Sequence, residues 1–123
     1  MIQKTMKTYT DKEEEFVSLL TSIGTKRNVA KILVYLAKLN EATYRDLERG
    51  ADLCQPEVSV AMKYLATRGW IRGREIPSEK KGRPVKLWNL ALPFTKILEI
   101  IGNEKQDELR TRLDMVRKVR HFS

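Results

Sequence analysis

Residues 55–74 read QPEVSVAMKYLATRGWIRGR. At about 3.6 residues per turn, Val58, Ala61, Met62 and Leu65 share one side of a helix, while Pro56, Val60, Lys63 and Thr67 share the other. The first set can be buried together. The second then stays outside, yet it holds a valine and a proline where an idle solvated face would carry Glu and Lys. Gly69 ends the helix, and Trp70 and Ile71 begin a strand that Pro77 and Ser78 break. Glu79, Lys80, Lys81, Gly82 and Arg83 form a polar tip before a second strand, PVKLWNL, so a β-hairpin with an extended basic tip is expected. Trp88 and Leu90 share one face of that second strand by its period of two and are expected to pack on the helices.

Upstream, Thr10 and Glu13 form a capping box, and Phe16, Leu19, Leu20 and Ile23 follow at helical spacing until Gly24. Thr25 is the expected cap of a second helix with the stripe Val29, Ile32, Leu33 and Leu36. Asn40 and Glu41 make a short connection. Thr43, with Asp46 three residues on, caps a brief helix whose inward anchor is Leu47. Asp52 lies in the turn that leads to Gln55, and Pro56 fits the first turn of the next helix. Downstream, Phe94, Ile97, Leu98 and Ile101 form one stripe, and Leu109, Leu113 and Val116 form another, with an interruption expected at Gly102 and Asn103. The expected organisation is an N-terminal helical segment over 1–24, in the same domain or a dimer interface, a central domain over 25–92, and a C-terminal helical arm over 93–123. That arm either dimerises or folds back on its own domain.

A chain of 123 residues, 41% of them hydrophobic, supports one modest core and leaves little for a second. No apolar run approaches a membrane span and the N-terminus lacks a signal-peptide centre, so a cytoplasmic protein without a membrane partner is expected. Cys54 is expected to be a half-buried structural thiol, and one cysteine with His121 makes no metal set. No paired carboxylates, activated nucleophile or glycine-rich phosphate loop occurs, so neither enzyme activity nor a cofactor is expected. The net charge is +8, and residues 55–86 hold eight basic side chains against three acidic ones. The positive field is therefore regional, as a footprint for a polyanion should be, although a lysine-rich solvated surface would also produce it.

Two short helices joined by about four residues form a helix-turn-helix. The segments TYRDLERGADLCQPEVSVAMKYLATRGWI and KGRPVKLWNL resemble the winged helix-turn-helix of prokaryotic transcription regulators, the group that includes the MarR, ArsR and TrmB families. The resemblance covers roughly residues 25–90. It rests on Leu47 as anchor, the Val58-Ser59 pair, Met62 and Leu65, Gly69 with Trp70 and Ile71, and the tip Gly82-Arg83-Pro84. Asp52 and Glu48 depart from the glycine and the small residue usual at those places. Only Cys54 is available for a cysteine-rich metal box of the ArsR kind, so metal sensing of that kind is not expected, and neither is a TrmB-like sugar domain.

The resemblance implies an α+β, mostly α fold: a three-helix core and a β-hairpin wing with flanking helices. It also implies a double-stranded DNA-binding regulator, working as a homodimer on a pseudo-palindromic operator. On that reading Gln55, Pro56, Glu57, Ser59, Val60, Lys63 and Tyr64 face the major groove. Thr43 and Arg45 contact phosphates, and Lys80, Lys81 and Arg83 of the wing address a minor groove or a phosphate ridge. Glu57 either reads a cytosine or favours the helix N-terminus, and Tyr64 either meets DNA or lies against the hairpin. The alternative function is a winged-helix protein-docking module that does not read DNA.

Overall fold

A computed structural model of the chain describes residues 9–77 and 84–122. The elements run α1 (Asp11–Ser22), α2 (Arg27–Lys38), α3 (Tyr44–Ala51), α4 (Gln55–Thr67), β1 (Ile71–Ile76), β2 (Val85–Leu90) and α5 (Phe94–His121). The fold is mostly helical with a two-stranded antiparallel hairpin, as the sequence predicts. The chain divides into two compact units, one ending at Leu92 and the other beginning at Pro93.

In the first unit α2 is the central element. Val29, Ala30, Ile32, Leu33, Val34 and Leu36 are all buried, so its whole inward surface is used. Val17 and Leu20 of α1, Leu47 and Ala51 of α3, and Val58, Ala61, Met62 and Leu65 of α4 complete the core. The four α4 residues are those that share a face by periodicity. Ahead of α1, Tyr9 is buried too, its hydroxyl donating to the Lys31 carbonyl at 2.7 Å. That burial raises the tyrosine pKa above its ordinary value.

Short-range chemistry sets the helix limits. Thr10 and Glu13 exchange side-chain and backbone hydrogen bonds at 3.0 and 3.1 Å, and Thr43 and Asp46 do the same at 3.0 Å. Helix α1 ends with the Thr25 N–H on the Leu20 carbonyl and the Gly24 N–H on the Thr21 carbonyl, Gly24 standing at φ 106°. The Thr25 backbone thus closes α1, and the N-cap of α2 is Lys26, without a side-chain cap bond, instead of the expected Thr25. Helices α3 and α4 end in the same double-bonded way, around Asp52 at φ 56° and Gly69 at φ 75°. Asp52 therefore occupies, without being glycine, the place that glycine fills at the other two ends.

Strands β1 and β2 pair in register from Ile71 with Leu90 to Ile76 with Val85. Ala42 adds a bridge to Trp88, with bonds of 3.0 and 2.8 Å in both directions, so the α2–α3 connection acts as a third edge of the sheet. Beside it the Arg74 guanidinium donates two hydrogen bonds to Glu41, at 2.7 and 2.9 Å. Trp88 and Leu90 are half-buried, and Trp88 lies 5.9 Å from the Tyr44 ring. The tip residues 78–83 lie outside the described residues.

Among the described residues the second unit holds one helix. The expected interruption at Gly102 and Asn103 does not occur, because α5 runs unbroken from Phe94 to His121. A glycine inside a helix costs about 1 kcal/mol without breaking it, and strong helix formers follow. Ion pairs Asp107–Arg110 at 2.9 Å and Asp114–Arg117 at 3.3 Å span single turns of its solvent surface. Among the described residues no helix is long and apolar enough to cross a membrane.

Two outcomes follow from these constraints. Replacing Asp52 with Gly should raise the urea midpoint and Asp52→Val should lower it, the valine costing about 1–2 kcal/mol at a left-handed backbone position; equal midpoints for all three proteins would remove the strain argument. Hydrogen bonds from Arg74, with its positive charge, hold the Glu41 carboxyl below the ordinary carboxylate range. A depressed carboxyl stabilises the fold above its unfolded pKa, and the effect is lost as pH falls through the lower folded value. In Arg74→Ala the Glu41 titration, followed by carboxyl NMR, should move up towards that of a free side chain.

Candidate nucleic-acid interface

Burying Val58, Ala61, Met62 and Leu65 fixes the rotation of α4, so its other face is turned to solvent. That face carries Gln55, Pro56, Glu57, Val60, Lys63 and Tyr64, all exposed, with Ser59 half-buried at its edge. Val60 is 69% exposed and Tyr64 44% exposed, which is high for apolar or aromatic side chains in mid-helix. The seven candidates thus share one continuous strip of a single rigid helix. Thr43 and Arg45 are brought to the start of α3; the Thr43 hydroxyl accepts from the Asp46 N–H, while Arg45 is exposed.

Glu57 has a defined local partner. Its Oε1 accepts from the Cys54 N–H at 3.0 Å, and that bond, with the Cys54 thiol and the charge of Lys31, lowers its pKa. The carboxylate is therefore charged at neutral pH and fastens the start of α4. Cys54 itself is exposed, contrary to the half-buried thiol expected. It is the N-cap of α4, the point at which the chain turns outward, and that position overrides the usual preference of cysteine for the core.

At the other end of α4, Tyr64 meets Trp70 edge-on at 6.3 Å and accepts a hydrogen bond at 3.3 Å from Arg68, whose guanidinium stacks 4.2 Å from the Trp70 ring. Tyr64 is thus braced against the root of the hairpin while its ring stays partly open. Of the wing candidates, Lys80, Lys81 and Arg83 lie outside the described residues. The strands beside them carry Arg72, Arg74 and Lys86, all exposed, with Lys86 held 5.0 Å over Trp88.

Sequence reasoning passed over one neighbouring feature. Between the start of α2 and the exposed face of α4 lies a groove of about 220 Å³, with Lys26, Arg27 and Asn28 on one wall and Glu57, Val60 and Tyr64 on the other. The adjacent Lys26-Arg27 pair, at the start of a helix with no acid in its first turn, was the available signal. Among the described residues no group of three or more His, Cys, Asp and Glu side chains could hold a metal ion.

No protein-family model and no curated protein matches the chain. Solved structures match it in fold. TrmBL2, described as an archaeal chromatin protein with a novel mode of DNA binding, superposes with a TM-score of 0.62 at 16% identity, over 89% of this chain and 39% of that one. The chain thus spans about two fifths of the length of TrmBL2. A possible transcriptional regulator from Methanosarcina mazei Go1 gives 0.60 at 13% identity, over 85% of each chain. A MarR family regulator from Neisseria meningitidis gives 0.52 at 22% identity, over 88% of this chain and 84% of that one. At such identities the likeness is one of architecture, and by architecture this chain is a winged helix-turn-helix of the kind seen in these TrmBL2 and MarR structures.

Proposed function

We propose that the chain is a sequence-specific, double-stranded DNA-binding transcriptional regulator that inserts α4 into the major groove. The observation that carries this reading is the strip on α4, where exposed Val60 and Pro56 stand between hydrogen-bonding Gln55 and Ser59 and the cation Lys63. A helix is about 10–12 Å across with its side chains, and the major groove is about 12 Å wide, so such a strip meets base edges directly. Gln55 pairs with an adenine, Pro56 and Val60 touch thymine methyls, and the Glu57 oxygen not fastened to Cys54 accepts from a cytosine amine. Ser59, Lys63, Tyr64, Thr43 and Arg45 hold phosphates and set register, while Lys80, Lys81 and Arg83 carry the wing to an adjacent minor groove or phosphate ridge. Nothing in this role calls for catalysis or a cofactor, and it places the protein in the cytoplasm with the DNA.

In the same reading residues 25–92 bind DNA and 93–123 form a dimerisation arm, with 1–24 belonging to the domain or the dimer interface. Support for the arm comes from Leu109, Leu113 and Val116, which are exposed on one face of α5. Two copies would present two α4 helices to half-sites about 34–36 Å apart on a pseudo-palindromic operator. The exposure of Val60 favours one other reading, a protein-docking module, and DNA titration separates the two.

Selection from random duplex DNA should yield a pseudo-palindrome, and affinity for it should fall by about 10³–10⁵ between 50 and 200 mM salt if 6–10 phosphates are neutralised. A salt-independent response, or no enrichment, would favour docking. Leu113→Glu should shift the sedimentation mass from dimer to monomer; wild-type protein already at monomer mass would remove the arm from the proposal.

A further inference from the structure

We infer that the groove between α2 and α4 is a second phosphate-holding wall, in which Lys26 and Arg27 grip the DNA backbone alongside the base-reading helix. The inference rests on the DNA-binding reading of α4 and extends the interface to an element which that reading leaves out.

When a helix fills the major groove, whatever flanks its exposed face lies against the phosphate ridges that bound the groove. On one flank of α4 that place is taken by the start of α2, and the two share the walls of one groove. Its floor is apolar, with Val29 and Ala61 both buried beneath it. Lys26 and Arg27 are exposed at the rim and Asn28 is half-buried between the rim and the floor. An apolar floor under cationic and amide walls suits a deoxyribose–phosphate strand, whose sugar presents carbon and whose phosphate accepts hydrogen bonds from Lys, Arg and Asn side chains.

The one acid in the groove does not oppose this. The Glu57 carboxylate is turned to the Cys54 N–H and faces the charge of Lys31, one turn after Arg27 on α2. The cations of Lys26 and Arg27 therefore set the sign of the rim. Arg27 and Lys31 lie on one face of α2 by their spacing of four, so the positive edge continues along the helix.

The test is the full-length double variant Lys26→Ala/Arg27→Ala, titrated across salt on the duplex selected by the wild type and on a random duplex. Each lost phosphate contact should reduce the slope of log affinity against log salt by about 1, so the variant should be shallower by about 2. Both duplexes should weaken in the same proportion, since phosphates carry no sequence. An unchanged slope, or a loss confined to the selected duplex, overturns the inference while leaving the reading of α4 in place. Wild-type protein without affinity for any duplex overturns that reading and this one with it. Circular dichroism checks the fold of the variant, and Lys26→Gln/Arg27→Gln carries the same comparison if the alanine pair loses helix.

Discussion

Everything in the first unit follows from the burial of one face of α4 against α2. Val58, Ala61, Met62 and Leu65 leave water together, at about 1.5–3 kcal/mol for each of the large side chains, and that burial fixes the rotation of the helix. The opposite face of the same helix is thereby turned away from the core. Val60 and Pro56 are held outside by the same contact that holds Met62 and Leu65 inside. The exposed strip is thus a consequence of core packing, and its rigidity comes from there as well.

The ends of α4 are fixed just as firmly. Glu57 closes its first turn on the Cys54 N–H, while at the other end Gly69 reverses the chain so that the Trp70 N–H reaches the Leu65 carbonyl. Trp70 is buried at that reversal and carries the Tyr64 edge and the Arg68 guanidinium on its surface. The hairpin is tied in turn to the α2–α3 connection by the Ala42 bridge and by the Glu41–Arg74 pair. That pair is solvent-exposed and adds little stability, but its two-pronged geometry restricts the direction in which the strand leaves the core.

Local chemistry was readable in the sequence and distant chemistry was not. The Thr10–Glu13 and Thr43–Asp46 boxes, the face of α4 and the turn at Asp52 depend on residues at most a few positions apart, and each stands as predicted. Glu41 and Arg74 are 33 residues apart, and no spacing rule connects them. Lys26 and Arg27 share a groove with the α4 face only once the two helices have packed, so no pattern along the chain connects them. The α1 stripe is rotated from the expected one, with Val17 and Leu20 buried while Leu19 and Ile23 are exposed, and three further expectations failed because position outranked residue type. Thr25 was taken up in closing α1, Cys54 was turned outward by its N-cap place, and Gly102 was carried through by the helix around it.

The two-sided construction of α4 separates what the molecule must keep from what it is free to vary. Substitutions at exposed positions such as Val60 or Lys63 touch no core partner, and surface changes of that kind usually move stability by no more than about 0.5 kcal/mol. Changes at Met62 or Leu65 are felt throughout the unit. Stability alone therefore constrains the inward positions of the helix and leaves the outward ones to be set by what they touch. One scaffold can in this way give rise to a lineage of surfaces, each presented by the same unmoved backbone.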